Sequence, residues 1–145
     1  MCKNKCKWNI LALLLLLLSV NFTWAQEKLT VVVKNIRNKK GHILVALFKD
    51  EKTFLTKVEY GKRVIPGGSE VIVEFENVPP GEYGLSVIHD ENDNGVLDKK
   101  GIGIPREGFG FGNNAMGKFG PPDFEEAKIK WEGTNKTEEM ILRYY

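Results

Sequence analysis

Between residues 90 and 98 the chain carries the spacing of a cation loop. Asp90, Asn92 and Asn94 sit at alternate positions and Gly95 follows at once, which is the first half of the Asp-x-[Asp/Asn]-x-[Asp/Asn]-Gly calcium pattern. Alternate spacing lets a tightly turning chain aim oxygens at one point, and Gly95 permits the bend. The Val96 carbonyl and Asp98 fall where the next ligands would stand, and hard oxygen donors of this kind suit calcium. The bidentate Glu that would close such a loop is absent: Gly101 holds its place. The expectation is a weak calcium site built from Asp90, Asn92, Asn94, Val96 and Asp98, on the order of 10⁻⁴–10⁻³ M, completed by Glu107, Asp123 or loop carbonyls. The competing expectation is a turn bonded to itself, because Asn and Asp side chains bond local backbone and Asn-Gly tolerates positive φ. His89, ending the preceding strand, reads as a hydrogen-bonding structural residue rather than a ligand.

Further along, Phe109, Phe111 and Phe119 alternate with glycines, and Asn113 and Asn114 follow the first pair. Glycines let a backbone lie flat against another surface. Phe109, Phe111, Asn113 and Asn114 are therefore candidate contacts for a glycan or peptide. The alternative is a loop folded over one end of the domain with its phenylalanines in the core, the usual place for a side chain without a polar handle.

Catalytic material is thin. Beyond residue 25 there is no cysteine, and the only histidines and serines are His42, His89, Ser69 and Ser86. Neither a Gly-x-Ser-x-Gly elbow nor a His-Glu-x-x-His pair is present. An acid–base pair drawn from Asp90, Asp98, Glu107 and Asp123 is the one route to a hydrolase-type activity.

The elements that must position these loops read as strands. Leu29, Val31 and Val33 alternate with Thr30, Val32 and Lys34; Val71, Val73 and Phe75 with Ile72, Glu74 and Glu76; Tyr83, Leu85 and Val87 with Gly84, Ser86 and Ile88. Ile129 and Trp131, then Met140, Leu142 and Tyr144, continue the period of two. Ile43 to Phe48 is a short apolar strand expected to be buried on both faces. Asp50–Val58 and Asp123–Ala127 each have room for one helical turn. Pro79-Pro80-Gly81 predicts a type II turn with Gly81 at positive φ, and Gly133 to Lys136 predicts a hairpin between the last two strands. About seven strands with regular turns predict an all-β fold, a single antiparallel β-sandwich of immunoglobulin-like or prealbumin-like kind with one long Gly/Asn-rich loop region. Residues 89–122 are that region, and long connections of this sort are often functional.

The first residues predict export. Lys3, Lys5 and Lys7 precede an apolar run from Ile10 to Val20, and Thr23-Trp24-Ala25 offers a small residue before a cut. These are the parts of a secretory signal peptide over residues 1–25, with the domain at 26–145. The run is about half the ~20 residues of a spanning helix, so no transmembrane span is expected in the mature chain. Cys2 and Cys6 would leave with the signal, and so would three lysines, taking the formal charge from +2 to −1. No basic stripe then remains to suggest nucleic acid.

Taken together, the chain resembles the bacterial family known as domain of unknown function 2141. The likeness lies in Lys40 to Phe48, Pro80 to Tyr83, His89 to Asn92, Asn94 to Asp98, Gly103 to Pro105, Glu107 to Phe111, Asn113 to Ala115, and Phe119 to Pro122 with Phe124 and Ala127. The resemblance implies an exported protein of a Gram-negative bacterium, periplasmic, cell-surface or secreted, and it implies no activity. Asn77 to Leu85 is more loosely similar to the Pro-Gly-x-Tyr turn of transthyretin-like and carboxypeptidase-regulatory-like sandwiches, a fold-level analogy. The functional expectation is a non-enzymatic binding or accessory domain for an unknown envelope or extracellular ligand. The alternatives are a structural module of an envelope assembly and the loop-carboxylate hydrolase.

Overall fold

A computed structural model describes residues 27–145, so the expected signal peptide lies outside the described residues. Period-two patterning gives the strands. In β1 (Lys28–Lys34) Leu29, Val31 and Val33 are fully buried while Thr30, Val32 and Lys34 are partly exposed. Such alternation marks a sheet with one face on a core. β2 (His42–Phe48), β3 (Tyr60–Val64), β4 (Glu70–Glu76) and β5 (Gly81–Asp90) follow, then the short β6 (Lys99–Lys100), β7 (Ile104–Pro105) and β8 (Gly108–Phe111). One helical turn, α1 (Phe124–Ala127), precedes β9 (Lys128–Trp131) and β10 (Lys136–Ile141).

The fold is nearly all β, in several sheets. One sheet has the order β10-β1-β4, a second the order β3-β2-β5-β8 with β9 also pairing β5, and β6 and β7 form a two-residue ladder. Inward residues of the two larger sheets make one buried cluster, among them Leu29, Val31, Ile43, Leu47, Val73, Leu85, Trp131 and Met140. The polar handle of Trp131 is matched there: its Nε1 donates to the Val78 carbonyl at 2.8 Å.

Several expectations change. Ten strands stand among the described residues where about seven were expected, because the 89–122 region contains three short ones. Pairing is antiparallel except that β1 and β10 run parallel. Residues 133–136 are not a hairpin: β9 joins β5 in one sheet and β10 joins β1 in the other, so Gly133 (φ 76°) carries the chain between sheets. Asn135 is tied there by two bonds, its Oδ1 accepting from the Lys28 amide and its amide donating to Glu27. Gly81 does not take positive φ; Asn77 does, at 59°, a conformation that Asn tolerates. Tyr83 closes the same bend by donating to the Pro79 carbonyl at 2.8 Å. Finally, β2 is not buried throughout. Ile43, Val45 and Leu47 face the core, while Leu44 and Ala46 on the other face are only half covered.

Candidate functional site

β5 ends in His89 and Asp90, both fully buried. Asp90 turns its carboxylate onto the loop it begins: Oδ1 accepts from the Asn94 amide at 3.1 Å and Oδ2 from the Gly95 amide at 2.8 Å. Gly95 (φ 80°) and Asp93 (φ 61°) supply the left-handed bends. The Asn92 side-chain oxygen accepts from the Asn94 amide and that of Asn94 from the Val96 amide, so both side-chain nitrogens are directed to Asp98. Four of the five expected ligands, Asp90, Asn92, Asn94 and Asp98, are thus bonded together in one turn, and Val96 follows with its side chain exposed. Among the described residues no three His, Cys, Asp or Glu side chains converge.

Sequence reasoning gave Glu107 only a supporting part, yet it is central. It is buried and accepts from the Glu91 amide at 2.9 Å and the Asp98 amide at 3.0 Å. No residue type marked this role in the sequence, because its partners are main-chain amides. Asp123 lies elsewhere, exposed at the start of α1, where its amide donates to Glu126.

His89 is satisfied on both nitrogens. A carbonyl can only accept, so Nε2–H donates to the Lys40 carbonyl at 2.8 Å; in the neutral ring Nδ1 then accepts from Tyr144 at 2.9 Å. Burial pushes the Tyr144 phenol above its ordinary value. Arg37 stacks over the Tyr144 ring at 4.6 Å and pairs with Glu91.

The glycine–aromatic segment folds inward. Phe109 and Phe111 are buried with Ala127 in a second apolar cluster, against Phe54, Leu97 and Met116, and Phe119 alone of the three is fully exposed. The burial is a consequence of pairing: β8 adds to β5, setting Phe109 beside Ile88 and Phe111 beside Ser86. Asn113 and Asn114, both left-handed, bracket backbone. Asn113 donates to the Glu126 and Lys128 carbonyls, and Asn114 donates to the Glu139 carbonyl while accepting from the Ile141 amide.

The outer face of the second sheet carries a feature that no motif announced. Two cross-strand rows, Leu44–Ile88–Phe109 and Ala46–Ser86–Phe111, form the floor of a cleft of about 1130 Å³. Its walls are the 55–58 turn, residues 95–97, 99–100 and 102–105, residues 117–121 and Tyr145. Of the ten large apolar side chains exposed among the described residues, seven line this cleft, including Val58, Val96, Ile102 and Phe119. Exposed apolar surface is therefore concentrated there rather than scattered, the distribution expected of an interaction site. The volume reaches the upper end of small-molecule sites, roughly 300–1,000 Å³. No Asp, Glu, His or Cys side chain lines it.

As a class, this is a nearly all-β domain whose larger sheet carries a partly covered apolar patch on its outer face. Residues 31–139 match a bacterial family described as "Uncharacterized protein conserved in bacteria (DUF2141)", and the chain belongs to that family. Comparison with curated proteins and with solved structures gives no match. No helix among the described residues is long and apolar enough to cross a membrane.

Proposed function

We propose that this protein is an exported, non-enzymatic binding domain of β-sandwich type that holds an apolar ligand on the outer face of its larger sheet. The cleft above Leu44, Ala46 and Ile88 carries this reading, because these apolar side chains stay partly exposed at its floor while the opposite face of the same strands is fully buried. Export is supported by the basic and apolar pattern of residues 3–20. The non-enzymatic part is supported by the character of the cleft lining, whose polar side chains are hydroxyls and lysines.

Titration with the uncharged fluorophore N-phenyl-1-naphthylamine tests the binding. A saturable one-site signal is expected, lost in Ala46→Trp with the circular dichroism spectrum retained. A signal that never saturates, or that Ala46→Trp leaves intact, refutes the reading. The mass of the protein recovered after secretion tests export, with Gln26 expected as its first residue.

A second reading concerns the 90–98 turn. The gathering of Asp90, Asn92, Asn94 and Asp98 in one turn favours a weak calcium site, formed by rotation of the two Asn amides. Calorimetric titration with calcium chloride should give millimolar binding that Asn94→Ala abolishes. No heat and no rise in Tm at 10 mM calcium (on the order of ten times the weakest expected Kd) ends that reading.

A further inference from the structure

Lys99, Lys100 and Lys118 line the cleft, and no Asp or Glu side chain does. All three are exposed. The lysines paired with carboxylates among the described residues are Lys28, Lys34, Lys128, Lys130 and Lys136, so none of the three at the cleft is neutralised. They reach it from two separate segments, β6 and the 117–121 turn. The floor is the opposite in character: Leu44, Ala46, Ile88, Phe109 and Phe111, with Ser86 the one hydroxyl among them. A ligand complementary to both has an apolar body and an anionic end.

From this geometry we infer that the cleft takes a single-chain anionic amphiphile, with its hydrocarbon chain along the β2-β5-β8 floor and its headgroup among Lys99, Lys100 and Lys118. The inference rests on the reading of the cleft as an apolar ligand site. Lysine is a point charge on a flexible stem, which suits a carboxylate or phosphate head held at an exposed edge. Apolar burial then supplies affinity, at about 0.8 kcal/mol per buried methylene, while the lysines select the sign of the head and speed capture.

Dodecanoate, kept below its micelle concentration, is the probe, with decanol as the uncharged comparison, dodecyltrimethylammonium as the cationic one and acetate as a head without a chain. Dodecanoate should bind one per chain and displace N-phenyl-1-naphthylamine, the cation and acetate at least tenfold more weakly. Replacing Lys99, Lys100 and Lys118 together by Glu should weaken dodecanoate at least tenfold and leave decanol unchanged. Ala46→Trp, or Leu44→Gln should Ala46→Trp fail to fold, should remove both. Equal binding of dodecanoate and its cationic counterpart, or indifference of dodecanoate to the triple substitution, overturns the anionic head while the apolar-ligand reading stands. Failure of decanol and dodecanoate alike to bind overturns both. A dimer that Phe119→Asp converts to monomer, together with no amphiphile binding, assigns the cleft to a second copy of the chain and also overturns the inference.

Discussion

Glu107 holds Asp98 through the main chain: its Oε2 accepts from the Asp98 amide at 3.0 Å while its Oε1 accepts from the Glu91 amide at 2.9 Å. One buried carboxylate thereby joins the two ends of the turn that Asp90 fills from within. In Glu107→Gln an NH₂ group must face one of those amides, leaving a buried donor without an acceptor at about 1–3 kcal/mol. A lower Tm and faster hydrogen exchange at Glu91 or Asp98 are expected. Unchanged exchange at both amides would contradict the bracket.

Gly41 meets the same region from the other side. Its φ is 61°, and a Cβ built there would lie 1.8 Å from the Asp90 carbonyl oxygen, which is backbone and cannot swing away. Left-handed φ costs an ordinary residue about 1–2 kcal/mol before any clash. Gly41→Ala should therefore lose more than about 2 kcal/mol in denaturant unfolding. Gly67→Ala should lose far less, since a Cβ there meets nothing within 4 Å.

The Glu91 carboxyl gives a pH dependence. Burial opposes its ionisation, but hydrogen bonds from Asn38 and Arg37 and the Arg37 charge outweigh that, and its pKa is lowered from the ordinary 4.5. A lowered folded-state pKa means the unfolded chain binds the proton more readily. The stabilisation is then complete above about pH 4.5 and fades as pH falls through the folded value. Glu91→Gln should flatten the decline of Tm below pH 4.5, and a folded-state NMR titration of Glu91 should have its midpoint below 4.5. A midpoint above it would refute the clamp.

Phe111 and Phe119 share a sequence setting but not a fate. Phe111 is buried against Phe54 and Phe109, and truncation of such a ring costs about 3–5 kcal/mol. Phe119 is fully exposed, so Phe119→Ala should change stability by no more than about 0.5 kcal/mol. Thermal unfolding of the two variants separates a core role from a surface one.

The strands were legible because their period is local. Leu29, Val31 and Val33, Val73 and Phe75, and Ile129 and Trp131 are each buried as their alternation predicts. Pairing was less so. Whether β10 joins β9 or β1 depends on surfaces far apart in sequence, and the turn residues Gly133 to Lys136 suit a crossing as well as a hairpin. The 90–98 motif was visible, but not the use its oxygens find, because Glu107 acts through main-chain amides that carry no residue signature. The cleft was hidden for a related reason: Leu44 and Ala46 belong to an apolar run that reads as doubly buried, and only the assembled sheet shows its second face partly exposed.

The parallel ladder between β1 and β10 joins the two ends of the described residues. Leu29 lies opposite Lys136 and Lys34 opposite Ile141, while the other edge of β1 pairs with β4. Contacts of such sequence separation form slowly, since the loop between them must close first. A chain passing stepwise through a translocation pore cannot complete this sheet until residue 141 has emerged. Under the export proposed above, that delay would keep the polypeptide threadable for as long as threading is needed.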